Sequence, residues 1–243
     1  MSEYQQVGSG GERIAVRRRR SIAQQWLNEL LATQLDIRGQ GLHVLDLGGG
    51  TGGTAADLAA AGHTVLVVDP SPDALAATER RAAEAGLEDR LTARQGDTGN
   101  LAQVVAADSA DVVVCHRVLE HVSDLHQALD AIDGALAPGG LLSIVIDQRL
   151  PQVWKLAGDG HVDTARQLLL DADLLDRRKL LAALADGGWE ILAEHGVGVI
   201  ADQVPEAAAE GQFDALLDLE AMIAGMPAHL ESATRLHVLA THP

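Results

Sequence analysis

Four residues able to bind hydroxyls or move protons stand where an apolar run gives way to glycine, proline or polar residues: Asp46, Asp69, Asp97 and His116. Asp46 lies in Val44-Leu45-Asp46-Leu47, directly before Gly48-Gly49-Gly50-Thr51-Gly52-Gly53. Glycines there permit positive φ and let a ligand approach without a Cβ in the way. Asp69 closes Thr64 to Asp69 and is followed by Pro70 and Ser71. A carboxylate at the tip of a second strand is placed to grip the hydroxyls of a ribose. Gly96, Asp97 and Thr98 follow a short third strand, and turn chemistry is the structural alternative for Asp97. His116 and His121, with Glu120 between them, are the candidates for a general base, because imidazole titrates near neutrality.

The elements that must position these groups can be read from periodicity. Val44–Leu47 and Thr64–Asp69 read as strands, with a helix from Thr54 to Ala61 between them. Ser71 reads as an N-cap and Pro72 as the first residue of a helix that Gly86 ends. Leu91–Gln95 reads as a third strand and Asp111–Cys115 as a fourth, apolar throughout and so buried on both faces. Ser123 is the expected cap of a helix over Leu125–Leu136, and Leu141–Ile146 is the fifth strand. This alternation predicts an α/β fold with a parallel sheet, helices on both faces and right-handed crossovers. Ligands then bind beyond the carboxyl ends of the strands, where all four residues fall. After Asp147 the pattern changes: helical stretches surround two last strands, Trp189–Ile200 and Arg235–Ala240, expected to pair antiparallel.

Composition narrows the function. At 243 residues the chain suits one α/β domain with an appendage. Its net charge of −17 repels nucleic acid and anionic membrane unless a local patch intervenes. One cysteine, Cys115, allows neither a disulfide nor a cysteine-based metal site within the chain. With no long apolar run, a soluble cytoplasmic protein without bound metal or membrane contact is expected. Arg13, Arg17, Arg18, Arg19 and Arg20 crowd the start of an amphipathic helix carrying Ile22, Trp26, Leu30 and Leu31. Positive charge there opposes the helix dipole, so an anion should face it: a ligand carboxylate, a phosphate, or the protein's own acidic surface.

The glycine stretch satisfies two patterns. Gly48, Gly50 and Gly53 fit G-x-G-x-x-G, with Asp69 at the distance a dinucleotide-binding loop asks. Asp46, Gly48, Gly50 and Gly52 also fit D-x-G-x-G-x-G, and here the sequence resembles the class I S-adenosylmethionine-dependent methyltransferases. A carboxylate beside the loop would repel a pyrophosphate but suit the cofactor's ammonium. The resemblance implies a Rossmann-like seven-stranded sheet of order 3-2-1-4-5-7-6, strand 7 antiparallel, with a small helical cap. It divides the chain into an N-terminal arm and helix, 1–36, and a methyltransferase domain, 37–243, with cap segments at about 148–176 and 202–233.

It also implies roles. Gly48, Gly50 and Gly52 would approach the methionine part of S-adenosyl-L-methionine, and Asp46 its ammonium. Asp69 would accept from the ribose hydroxyls, with Pro70 and Ser71 near the adenine edge. Asp97, with Gly96 and Thr98 beside it, would accept from the adenine amino group. His116 and Arg117 would stand where sulfonium and acceptor meet.

The span Val118-Leu119-Glu120-His121-Val122-Ser123-Asp124, with Leu216–Glu220 and Arg235–Val238, resembles bacterial methyltransferases that esterify 5-carboxymethoxyuridine in tRNA. In that group an arginine of the N-terminal helix holds the cofactor's carboxylate; Arg19 is the nearest match, with Arg18 or Arg20 one register away. Gly198 and Asp147-Gln148-Arg149 depart from the group's pattern, and the acidic tail is a poor face for RNA. The expectation is therefore a methyltransferase acting on a small molecule or a carboxylate-bearing group, with tRNA as the alternative acceptor. An NAD-dependent oxidoreductase and a non-catalytic cofactor-binding scaffold are the readings from other classes.

Overall fold

The computed structural model describes residues 7–205, 209 and 211–242, with side chains from residue 22 onward. Seven strands form one sheet in the order β3-β2-β1-β4-β5-β7-β6, with β7 antiparallel. They are β1 (His43–Leu47), β2 (Thr64–Asp69), β3 (Leu91–Gln95), β4 (Ala110–His116), β5 (Leu136–Asp147), β6 (Glu190–Val197) and β7 (Arg235–Thr241). The helices are α1 (Val7–Arg38), α2 (Gly53–Ala60), α3 (Pro72–Ala85), α4 (Leu101–Val104), α5 (Leu125–Ala135), α6 (Arg149–Gly158), α7 (Val162–Leu170), α8 (Arg177–Asp186) and α9 (Phe213–Ala224).

The strand order expected from the resemblance is the one observed. The parallel pairs β1–β2, β1–β4, β2–β3 and β4–β5 place their carboxyl ends side by side. β1 and β4 lie in the middle and are nearly all buried, which is why Val and Leu dominate their central positions. Val44, Val65, Val67, Val112, Val114 and Leu141 supply one face of the core, packed with Leu31, Leu35, Leu58 and Leu75.

Local chemistry sets the helix ends. Ser71 accepts from the Ala74 N–H at 3.3 Å and Pro72 opens α3, as expected. Gly86 ends that helix with φ +65°. At α5 the cap is Asp124, which accepts from the Gln127 N–H at 3.0 Å, not Ser123. Both residues are good caps and adjacent. A carboxylate at the helix N-terminus adds the favourable charge–dipole term that a hydroxyl lacks. α1 extends beyond the expected start, since the chain is helical from Val7.

The chain divides into two compact units. One comprises Leu31–Asp147, Leu170–Glu194 and His237–Pro243 and contains the strand-end residues just described. The other comprises Met1–Leu30, Gln148–Leu169 and His195–Leu236. Within the second unit, Trp26 meets His195 edge-on at 5.8 Å. There too, Glu220 of α9 is fully buried. Its two oxygens accept the backbone N–H groups of Gly198, Val199, Ile200 and Ala201 at 2.6, 2.8, 2.8 and 2.9 Å.

Candidate active site

A cavity of about 500 Å³ opens over the carboxyl ends of β1, β2, β3 and β4. That volume lies in the ordinary range for small-molecule sites. Its wall includes Leu47, Gly48, Asp69, Pro70, Gly96, Asp97 and Thr98 on one side. Arg117, Val118, His121, Ser123, Asp124 and Gln127 line the other.

The glycine loop between β1 and α2 is held by side chains from two elements, β2 and α3. Gly48, Gly50 and Gly52 have φ of +70°, +57° and +69°, conformations that L side chains adopt only at a cost. The Gly50 N–H donates to Asp69 Oδ2 at 2.9 Å, and the Ser71 N–H donates to Asp69 Oδ1 at 2.9 Å. Asp69 therefore ties its own loop to the glycine loop, and each oxygen keeps a further lone pair for a ligand. From α3, the Thr78 hydroxyl donates to the Gly50 carbonyl at 2.9 Å and Arg81 Nε donates to the Thr51 carbonyl at 3.0 Å. A Cβ at Gly52 would lie 2.7 Å from Thr78 Oγ1, and one at Gly48 would collide with Val118 Cγ2. A Cβ at Gly49 would lie 2.5 Å from Asp46 Oδ2. The loop is thus a close-fitted cradle that admits no side chain on three sides.

Asp97 is set by its own turn. Its Oδ1 accepts the N–H groups of Gly99 and Asn100 at 2.9 and 3.2 Å, while its N–H donates to Asn100 Oδ1 at 2.9 Å. It nevertheless lines the cavity, with Gly96 and Thr98. Asp46, Gly50, Gly52 and Ser71 do not line it: Asp46 is 4% exposed, beneath the loop, and Ser71 is exposed and caps α3.

The two histidines part company. His121 lines the cavity and is exposed. His116 does not line it. Its Nε2 shares a hydrogen bond of 2.8 Å with Ser143 Oγ, which shares another of 3.0 Å with His237 Nε2. Strand register explains the turn away: Val114 pairs with Ser143 and His116 with Val145, so His116 and Ser143 share one face of the sheet. Arg19 lies in α1, but its side chain falls outside the described residues. Cys115 is fully buried, and burial, then the charges of Glu120 and Asp46, push its thiol pKa up, so it is no nucleophile. Among the described residues no cluster of His, Cys, Asp and Glu could hold a metal ion.

Burial, and secondarily the charge of Asp69, push the Asp46 pKa up to about 7 from an ordinary 3.8. The folded value exceeds the unfolded one, so the native state binds more protons between them. Asp46 thus favours the fold at low pH, and its contribution is lost as pH rises from about 4 to about 7. A shift of this size is worth at most about 4 kcal/mol. In urea unfolding, wild type should lose stability across that window relative to Asp46→Asn, and the two should run parallel above it. Parallel curves throughout would refute the buried-acid assignment.

Residues 45–142 match the family described as a methyltransferase domain. The chain is 28% identical over 238 residues to the tRNA 5-carboxymethoxyuridine methyltransferase of Escherichia coli (strain K12), covering 93% of this chain and 88% of that one. It is 31% identical over 167 residues to the ubiquinone biosynthesis O-methyltransferase of Xanthomonas euvesicatoria pv. vesicatoria, covering 67% of this chain and 68% of that one. The chain belongs to the class I S-adenosylmethionine-dependent methyltransferases. The fold of this methyltransferase is shared with a putative sarcosine dimethylglycine methyltransferase from Galdieria sulphuraria, with a TM-score of 0.60 at 18% identity over 88% of this chain and 84% of that one. It is also shared with the geranyl diphosphate C-methyltransferase of Streptomyces coelicolor A3(2), with a TM-score of 0.62 at 16% identity over 89% of this chain and 75% of that one. Asp46, a second carboxylate beside Asp69, lies buried under the methyltransferase's glycine loop. Thr78 and Arg81 are the structural contributors to the glycine loop that the sequence did not point to.

Proposed function

We propose that this methyltransferase holds S-adenosyl-L-methionine across the ends of β1, β2 and β3 and methylates an oxygen of a carboxylate-bearing small molecule. The observation that carries the reading is the composition of the cavity wall. Asp69 and Asp97, both hydrogen-bond acceptors, line it from the ends of β2 and β3, and Arg117, His121 and Gln127 line it from the segments after β4, beside Asp124. Asp69 suits ribose hydroxyls, Asp97 with Gly96 and Thr98 suits an adenine edge, and the glycine cradle with Gly48 leaves room for the methionine part. Asp46 below the loop favours a positive charge above it. Arg19, on the helix that precedes β1, is proposed for the cofactor's carboxylate.

The cofactor supplies a methyl group on a positively charged sulfur that departs with the bonding electrons. The protein's share is alignment, worth up to roughly 7–11 kcal/mol in well-oriented systems, and removal of water. A carboxylate acceptor is already ionised at neutral pH, so no base has to take a proton. This agrees with His116 being committed to Ser143 rather than to the cavity. His121 is the residue placed to accept a proton from an acceptor that still carries one. A cytoplasmic setting goes with the reading, supported by the single, buried cysteine.

A second reading, a methyl ester formed on a carboxymethoxy group of tRNA, is favoured by the 93% of the chain that aligns with the Escherichia coli relative. A net charge of −17 opposes it. Incubation with methyl-labelled S-adenosylmethionine and cell extract, followed by size fractionation and mild alkali, separates the two. Alkali-labile label among small molecules supports the first reading, and alkali-labile label in tRNA the second. Alkali-stable label, or none, defeats both.

A further inference from the structure

One side chain on the cavity wall is out of keeping with the rest. Arg117 is the only lysine or arginine among the described residues that line it, in company with Asp69, Asp97 and Asp124. Its backbone is left-handed at φ +59°, a conformation that costs a non-glycine residue strain. Glycine would fill that position without strain. The Arg117 N–H donates to the Val145 carbonyl at 2.7 Å, which fixes the residue at the end of β4.

Stability does not account for the guanidinium. Nε donates to Asp147 Oδ2 at 3.3 Å, and the two side chains are 60% and 53% exposed. An exposed pair of that length contributes little to stability. The pair does orient the group, because Asp147 is itself held: its N–H donates to Glu120 Oε1 at 2.7 Å. The other oxygen, Glu120 Oε2, is buried without a hydrogen-bond partner among the described residues, and burial pushes the Glu120 pKa up, which weakens it as a rival anion. With Nε engaged, the two terminal nitrogens of Arg117 form the second edge of the fork, the edge that takes a planar oxyanion through two parallel hydrogen bonds. No other side-chain partner of Arg117 occurs among the described residues.

We propose that Arg117 is the specificity-determining residue that docks the acceptor's carboxylate beside the transferred methyl group, with Asp147 orienting it. The inference rests on the methyltransferase reading and names the acceptor's chemistry within it. Nucleic-acid phosphate fits less well, since a single cation among three aspartates offers a polyanion little.

The test uses the full chain loaded with S-adenosylhomocysteine, ¹⁵N-labelled at arginine. The Arg117 Nε resonance is assigned by its loss in Arg117→Gln. Phenoxyacetate is then titrated against its neutral amide, phenoxyacetamide, at millimolar concentrations. We expect the carboxylate to shift the Arg117 resonance saturably and the amide to leave it unmoved. Arg117→Lys, which keeps the charge but not the fork, should weaken carboxylate binding roughly tenfold. Affinity for S-adenosylhomocysteine, measured by calorimetry, should stay within about twofold of wild type in both variants. Equal response to the two probes, or none to either, overturns the proposal. So does loss of S-adenosylhomocysteine binding in Arg117→Gln, which would assign the guanidinium to the cofactor. Failure of wild type to bind S-adenosylhomocysteine removes the reading beneath it, an outcome visible before any acceptor probe is added.

Discussion

Replacing Asp69 with alanine should weaken S-adenosylhomocysteine binding by about thirtyfold to a hundredfold, roughly 2–3 kcal/mol. Two losses combine. The ribose hydroxyls lose their acceptor, and the glycine cradle loses its tie, since Asp69 Oδ2 holds the Gly50 N–H and Oδ1 the Ser71 N–H. Asp69→Asn separates them: its one carbonyl oxygen serves one of the two backbone donors, so an intermediate loss is expected. Both variants also remove a negative charge that raises the Asp46 pKa, so the pH window of Asp46 should move down. Calorimetric titration of the three proteins, with unfolding curves to confirm the fold, checks this. Unchanged affinity in Asp69→Ala would remove the residue from the site.

The largest effect on stability is expected at Glu220. Its carboxylate is fully buried and accepts four consecutive backbone N–H groups, those of Gly198 to Ala201. Gly198 at φ +78° turns the chain so that these donors converge, and a Cβ there would meet Asp202 and Thr234. Glu220→Ala strands the donors, each costing about 1–3 kcal/mol if left unpaired, and a total loss of at least about 3 kcal/mol should follow as water reaches only some of them. Glu220→Gln keeps one acceptor oxygen but turns an NH₂ toward donors, so it should recover only a fraction. Urea unfolding followed by tryptophan fluorescence gives the stabilities, and limited proteolysis near residues 198–201 reports the loosened segment. A loss under about 1 kcal/mol for Glu220→Ala would mean the four bonds contribute nothing net.

These two residues mark the reach of sequence reasoning. Asp46 and Asp69 could be found because each ends a short apolar run next to glycine or proline, Asp97 because it follows Gly96 at the end of a short strand, and parallel topology sends every such end to one edge of the sheet. The local signal and the fold rule agreed. Glu220 carried no such signal: an acid within an apolar helical pattern reads as an ordinary exposed position, and its partners lie 19 to 22 residues away. Thr78 is 28 residues from the Gly50 it holds, in the middle of a helix where threonine has no local reason to be singled out. The orientation of His116 was accessible in principle. Alternation along β4 and β5, once their register is known, puts it on the face of Ser143. The missing step was the register, which depends on how two strands pair and not on either alone. The one-residue displacement of the α5 cap from Ser123 to Asp124 has a different origin, two neighbouring residues with similar capping strength.

The central claim is that the strand-end carboxylates and glycine cradle form an S-adenosylmethionine site and not a dinucleotide site. Titration calorimetry of the wild-type chain, with S-adenosylhomocysteine in one experiment and NADH in the other, tests it most directly. Saturable one-to-one binding of S-adenosylhomocysteine and no measurable heat with NADH are expected. Binding of NADH with no response to S-adenosylhomocysteine would contradict it.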